Sequence, residues 1–208
     1  MLRRQTALVL VLLAATLSAQ NKNQPGLSSS KPSHARLILP EPGVISDGVY
    51  HNPSFEFSYK LPYGWVDRTR EMQDDSAESS KSLLLLAVFE RPPEATGDTL
   101  NSAVVIVAEP LSAYPGLKTA ADYFGPLSEL ATTKGFQAVD EPHDFSVGPV
   151  RLVRGDFSKP RGTLTARQTS LVVLQKSYEV SFTFIGASED EINELIEKLS
   201  FVSRRSAH

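Results

Sequence analysis

Apolar and polar positions alternate with a period of two at both ends of this chain's central region. Phe55-Glu56-Phe57-Ser58-Tyr59 and Tyr178-Glu179-Val180-Ser181-Phe182-Thr183-Phe184 both show it, and the period predicts half-buried strands. In the second of these the polar face is expected to be the less buried. Three other runs, 83–89, 103–108 and 171–174, are almost wholly apolar and rich in β-branched residues. They predict strands covered on both faces. Residues 150–157 read as a further strand. Pro62-Tyr63-Gly64 predicts a turn, because proline fixes φ and glycine permits positive φ.

A period of 3.6 appears twice. Thr119 is placed to cap a helix starting at Ala120, with Tyr123, Phe124, Leu127, Leu130 and Ala131 on one stripe and Lys134-Gly135 at its end. Gly125-Pro126 should kink or restart it, since proline lacks the N–H and clashes with the preceding turn. Ser188-Glu189-Asp190-Glu191 has the form of a capping box, followed by Ile192, Leu195, Ile196 and Leu199 on one face. Residues 69–81, acidic and serine-rich, read as an exposed loop.

The N-terminus follows another logic. Met1-Leu2-Arg3-Arg4 is basic, 7–17 are apolar apart from Thr16, and Ser18-Ala19 are small. This is the three-part layout of a secretory signal peptide over 1–19, with cleavage expected after Ala19 or Ser18. The apolar run is too short for a bilayer-spanning helix, which takes about 20 residues. The absence of a bulky apolar pair after Arg3-Arg4 favours the general secretory route over a twin-arginine one. Residues 20–47 are rich in Gln, Asn, Ser, Pro and Gly and are expected to be a disordered leader, within which Leu37-Ile38-Leu39 is positioned to pair with the domain edge. The domain itself is expected over 48–203, with a frayed tail at 204–208.

Composition narrows the chemistry. The chain has no cysteine, which excludes disulfides, thiol nucleophiles, cysteine-based metal sites and a lipid-modified cysteine. The expected location is periplasmic or extracellular, without a stable membrane anchor. The formal charge is −3, and loss of Arg3 and Arg4 with the signal makes it two units more negative. Such a surface offers no basic stripe for nucleic acid.

The opening Tyr50-His51-Asn52, the aromatic strand at 55–59 and Pro62-Tyr63-Gly64-Trp65 resemble the start of PsbP-like domains. The Tyr-led strand from Tyr178, the Ser-led acidic helix and the closing Ser200-Phe201-Val202 resemble their end. The resemblance spans about 48–203. It implies an α+β fold, a mostly antiparallel β-sheet sandwiched between helices. It also implies a binding or assembly role rather than a reaction, in a superfamily that includes the photosystem subunit PsbP and a Ran-binding nuclear import factor. A glycine common in the first strand of that family is Glu56 here.

Catalytic motifs are absent. There is no Gly-x-Ser-x-Gly, His-Glu-x-x-His, phosphate-cradling glycine loop or dinucleotide fingerprint, so no cofactor and no metal is expected. His34 and His208 lie in the leader and at the last position. His51 falls in the Tyr-x-Asn turn, and His143-Asp144 follows Glu141-Pro142 on a polar turn. The acidic loop with Asp74, Asp75 and Glu78 lacks the spacing and glycine of a calcium loop. Trp65 reads as core. Arg151, Arg154, Lys159 and Arg161 form a local basic cluster, taken as two on one strand face and two in the next turn, and are the candidate binding residues for an acidic partner. Two functions stay open: an exported non-catalytic binding or assembly module for a protein or small molecule in the bacterial cell envelope, or an exported hydrolase-like enzyme using His51 or His143. A histidine paired with a carboxylate in a concave site would favour the enzyme.

Overall fold

The computed structural model describes residues 40–76, 82–92, 94 and 99–202. The proposed signal peptide, all of the leader before position 40, and the tail at 204–208 lie outside these residues. The strands are β1 Val44–Ser46, β2 Val49–Asn52, β3 Phe57–Lys60, β4 Val66–Asp67, β5 Leu83–Phe89, β6 Ala103–Pro110, β7 Gln137–Ala138, β8 His143–Val147, β9 Val150–Arg161, β10 Leu164–Gln175, β11 Tyr178–Gly186 and β12 Leu199–Phe201. The helices are α1 Thr69–Ser76, α2 Phe124–Thr133 and α3 Glu189–Ile196.

These elements form an antiparallel sheet in the order β4-β5-β6-β11-β10-β9-β7, with β8 also on β9. A smaller sheet runs β1-β2-β3-β12. The α+β expectation holds. The small sheet and α3 cover one face of the large sheet through Phe57, Tyr59, Phe182, Phe184, Ile192 and Leu195. Helix α2 covers part of the other face through Phe124, Leu127 and Ala131, packed on Phe157, Ala166 and Val172. Gly155 makes that contact possible: a Cβ there would lie 2.3 Å from the Phe124 ring.

Several boundaries differ from expectation. The first sheet begins before residue 48, because Asp47-Gly48, with φ of 51° and 73°, closes a two-residue hairpin that pairs 44–46 with 49–51. The acidic stretch is helical over Thr69–Ser76: Asp67 Oδ1 accepts from the Thr69 amide at 2.9 Å and hydroxyl at 2.6 Å, and Met72 packs against the cluster of Ala87, Phe89, Ala103 and Ile185. One apolar residue in two turns is too little for a visible helical period. The acidic side chains of Asp74, Asp75 and Glu78 lie outside the described residues. The 119–135 region starts as a 3₁₀ turn at Ala121–Tyr123, and the α-helix begins at Phe124, so Pro126 sits in the first turn where its missing N–H costs nothing. Ser188 caps α3, accepting from the Glu191 amide at 3.1 Å. Leu199 is buried, but on β12 rather than on α3.

The strand expected from Phe55 starts at Phe57, because Glu56 takes a left-handed φ of 55°. That conformation is natural for glycine and strains other residues by about 1–2 kcal/mol. The Glu56 carboxylate meets Lys176 at 3.6 Å, an exposed pair of little energetic weight. Glu56→Gly is therefore expected to raise stability by about 0.5–1 kcal/mol in urea titration; a loss of stability would mean that the φ preference is not limiting there.

Candidate functional site

Residues with chemical potential collect in two places, one on each face of the large sheet. On the face shared with α3, a cleft of about 100 Å³ is lined by Val139, Asp140, Arg154, Asp156, Arg167 and Glu189, among others. Asp156 comes from β9 and Arg167 and Thr169 from β10, where Thr169 is the register partner of Asp156. Arg154 grips Asp156 bidentately, Nε to Oδ2 at 2.9 Å and Nη2 to Oδ1 at 3.0 Å, and Thr169 Oγ1 donates to the same carboxylate. Arg154 also donates to Asn193 Oδ1 at 3.4 Å and lies over the Phe145 ring, 5.4 Å from its centroid. Arg154 and Asp156 are thus fully engaged. The side chain of Arg167, a half-buried residue beside them, makes no ion pair or hydrogen bond among the described residues.

The opposite face is polar where the alternating pattern predicted exposure. Glu179, Ser181 and Thr183 on β11 and Gln168 and Ser170 on β10 are all buried. The expectation that β11 has a less buried face is corrected: all of its polar residues from Glu179 to Thr183 are buried, and the 111–123 segment, through Tyr114 and Tyr123, lies over the Glu179 end. At one end of this stripe Glu179 is the register partner of Glu109 on β6. The two carboxyls are 0% and 4% exposed. Glu109 is well supplied with donors: Tyr114 and Tyr123 hydroxyls each donate to Oε2 at 2.5 Å, and Ser82 donates to Oε1. Among the described residues neither Glu179 oxygen completes a hydrogen bond, although the Ser181 and Tyr123 hydroxyls stand close by. Burial first, and then the charge of Glu109, push the Glu179 carboxyl well above the usual carboxylate range. Burial likewise raises the Tyr114 and Tyr123 hydroxyls, which therefore stay protonated as donors.

The structure does not bring the four candidate cations together. Arg151 and Arg154 are three apart on one strand, so they point to opposite faces and not to one as expected. Arg151 is 80% exposed, with Asp144 at 3.9 Å. Arg154 sits in the cleft. Lys159 Nζ donates to Lys134 O at 2.6 Å, at the C-terminus of α2, and lies over Phe136. Arg161 is exposed at the β9–β10 hairpin.

Both internal histidines are exposed. His51 Nδ1 is 2.9 Å from Ser58 Oγ, and His143 Nδ1 is 3.4 Å from Glu141 O. Neither lines the cleft or the open depression of about 390 Å³ beside Phe124 and Glu141. Trp65 packs against the main core as expected. Arg167, Glu109 and Glu179 were missed from sequence. A glutamate on an alternating strand looks like a solvent-facing residue, and Glu109 looks like the end of an apolar run. The one available signal was their position at the same end of two strands that should be neighbours.

No protein-family model matches the sequence, and no curated protein is similar to it by sequence. Among solved structures the chain is similar to cyanobacterial PsbP (CyanoP) from Synechocystis sp. PCC 6803, with a TM-score of 0.50 and 12% identity over 79% of this chain and 99% of that one. It is also similar to the Ran-binding protein Mog1p from Saccharomyces cerevisiae, with a TM-score of 0.46 and 9% identity over 74% of this chain and 95% of that one. A third is LpqN of Mycobacterium tuberculosis, involved in cell envelope biogenesis, at 0.38 and 14% over 71% and 83%. Among the described residues no helix is long and apolar enough to cross a membrane. The antiparallel sheet between helices, expected from the motifs around Tyr50 and Trp65, is the one found: this chain has the PsbP-like fold.

Proposed function

We propose that this chain is an exported, non-catalytic binding module of the bacterial cell envelope, and that the cleft around Arg167 is its contact site. The observation that carries the reading is the contrast between two neighbouring arginines. Arg154 is used up by Asp156, Asn193 and Phe145, whereas Arg167 is half-buried with nothing bound to it among the described residues. A cation kept partly out of water without a partner is suited to receive an anionic group, and Asp140 and Glu189 at the same cleft suit a ligand that also carries a positive charge. A partner's terminal carboxylate beside an amine has that chemistry. Exposed Arg151 and Arg161 on the same strand region would steer such a partner without holding it. The basic start and short apolar run at 1–19 support export.

Produced from its own start codon in a bacterial host, the chain is expected outside the cytoplasm with Gln20 at its N-terminus, as read by mass spectrometry. Crosslinking of that exported form to its envelope partner should fall about tenfold or more in Arg167→Glu, with the far-UV circular dichroism unchanged. A cytoplasmic chain retaining Met1, or a partner indifferent to Arg167, overturns the reading. Turnover of a substrate that disappears in His51→Ala or His143→Ala replaces it with an enzyme.

A further inference from the structure

We propose that the cleft around Arg167 receives the free C-terminus of a partner chain and reads a small last residue with a Lys or Arg just before it; this rests on the reading of the cleft as the contact site. Charge is the first reason. The lining carries two guanidiniums, Arg154 and Arg167, against three carboxyls, Asp140, Asp156 and Glu189, a net of one negative charge. A phosphate or other dianion would meet net repulsion there. Arg154 and Asp156 cancel one another through hydrogen bonds at 2.9 and 3.0 Å. What is left for a ligand is Arg167 for one anionic group, and Asp140 and Glu189 for cations. Both of those acids are exposed, and neither forms an ion pair among the described residues. The acids are not grouped to hold a metal ion among the described residues, so the cations that suit them are side-chain amines or guanidiniums, reaching them one at a time.

Shape and volume choose among ligands of that charge. A guanidinium is a planar fork whose paired N–H groups match a carboxylate. Arg167 is on β10 and Glu189 opens α3, while Asp140 follows β7, the last strand of the large sheet. The Val139 amide donates to Asp156 O at 2.8 Å and carries that edge past β7. The cleft therefore lies beside a sheet edge, where an extended chain can run in from solvent and end against Arg167. Its volume of about 100 Å³ is less than the roughly 150 Å³ that takes up a benzene ring in a protein interior. A carboxylate with its Cα and a methyl group fits; an aromatic last side chain does not. Val139 and Ile192, the aliphatic members of the lining, suit that methyl.

Fluorescence polarisation with short N-terminally labelled peptides on the exported chain tests it. A Gly-Ser-Gly-Ser-Lys-Ala peptide with a free carboxylate should bind about tenfold more tightly than its C-terminal amide, than the same peptide ending in Lys-Phe, and than one ending in Glu-Ala. Arg167→Lys keeps the charge but not the fork, so it should lose most of the preference for acid over amide. Asp140→Lys and Glu189→Lys should each reverse the order of the Lys-Ala and Glu-Ala peptides. Asp140 lies outside any helix or strand, so that variant carries the reversal even if the α3 variant fails to fold. Equal binding of acid and amide overturns the inference, as does an unchanged peptide order in Asp140→Lys. Free alanine binding more tightly than any of the peptides also overturns it, in favour of a free amino acid as occupant. If the crosslink to the envelope partner still needs Arg167 while no peptide binds, the C-terminal inference falls and the contact site stands. If peptides and crosslink are both indifferent to Arg167, both fall.

Discussion

Arg154→Glu is expected to destabilise the domain by about 3–5 kcal/mol, while Arg151→Glu, three residues away on the same strand, should change stability by less than about 0.5 kcal/mol. The Arg154 side chain is 13% exposed and holds Asp156, itself 23% exposed, with paired hydrogen bonds. Reversal removes the counter-charge, places a second carboxylate against the first, and strips the Phe145 ring of its cationic cover. Arg151 and its nearest acid Asp144 are 80% and 74% exposed at 3.9 Å, and water screens whatever is put there. Urea midpoints of the two variants decide it. Similar midpoints would mean that the Arg154–Asp156 pair is solvated in solution, and the cleft would then lose the wall that leaves Arg167 as its open cation.

Phe182→Ala should cost about 3–5 kcal/mol, the range for deleting a buried aromatic side chain. Strand β11 is flanked on both sides within the large sheet, and Phe182 faces the small sheet with no exposure. Its ring meets Phe57 edge-on, centroids 5.0 Å apart at 80°, and Phe201 at 5.8 Å and 75°. These rings join β3, β11 and β12, so the cavity left behind has walls from both sheets and cannot collapse without separating them. A double-mutant cycle with Phe57→Ala should give a coupling of about 0.5–1.5 kcal/mol. Tyr63→Ala, at the fully exposed tip of the Pro62-Gly64 turn, should be nearly neutral. If Phe182→Ala and Tyr63→Ala unfold at the same denaturant concentration, the two sheets do not share a core.

Local pattern was enough for the elements whose fate depends on near neighbours in the chain. The apolar runs became β5, β6 and the middle of β10, the capping serine at 188 began α3, and the proline at 126 marked the restart of α2, because periodicity and φ restriction act within a few residues. Short aromatic motifs were enough for the fold. Burial of polar groups was not legible, since it depends on what lands on top. Glu179 alternates with Val180 just as a solvent-facing residue does, and only the 111–123 segment, which brings Tyr114 and Tyr123 over it, turns it into an interior acid opposite Glu109. The basic cluster failed as a patch for a related reason. Four cations close in sequence share charge, but a strand sends neighbours to opposite faces, and the packing of α2, α3 and Phe145 then assigns each a different task. What the sequence determined was set by interactions a few residues long; what tertiary structure decided was which polar side chains lose their water and which, like that of Arg167, are left without a partner among the described residues.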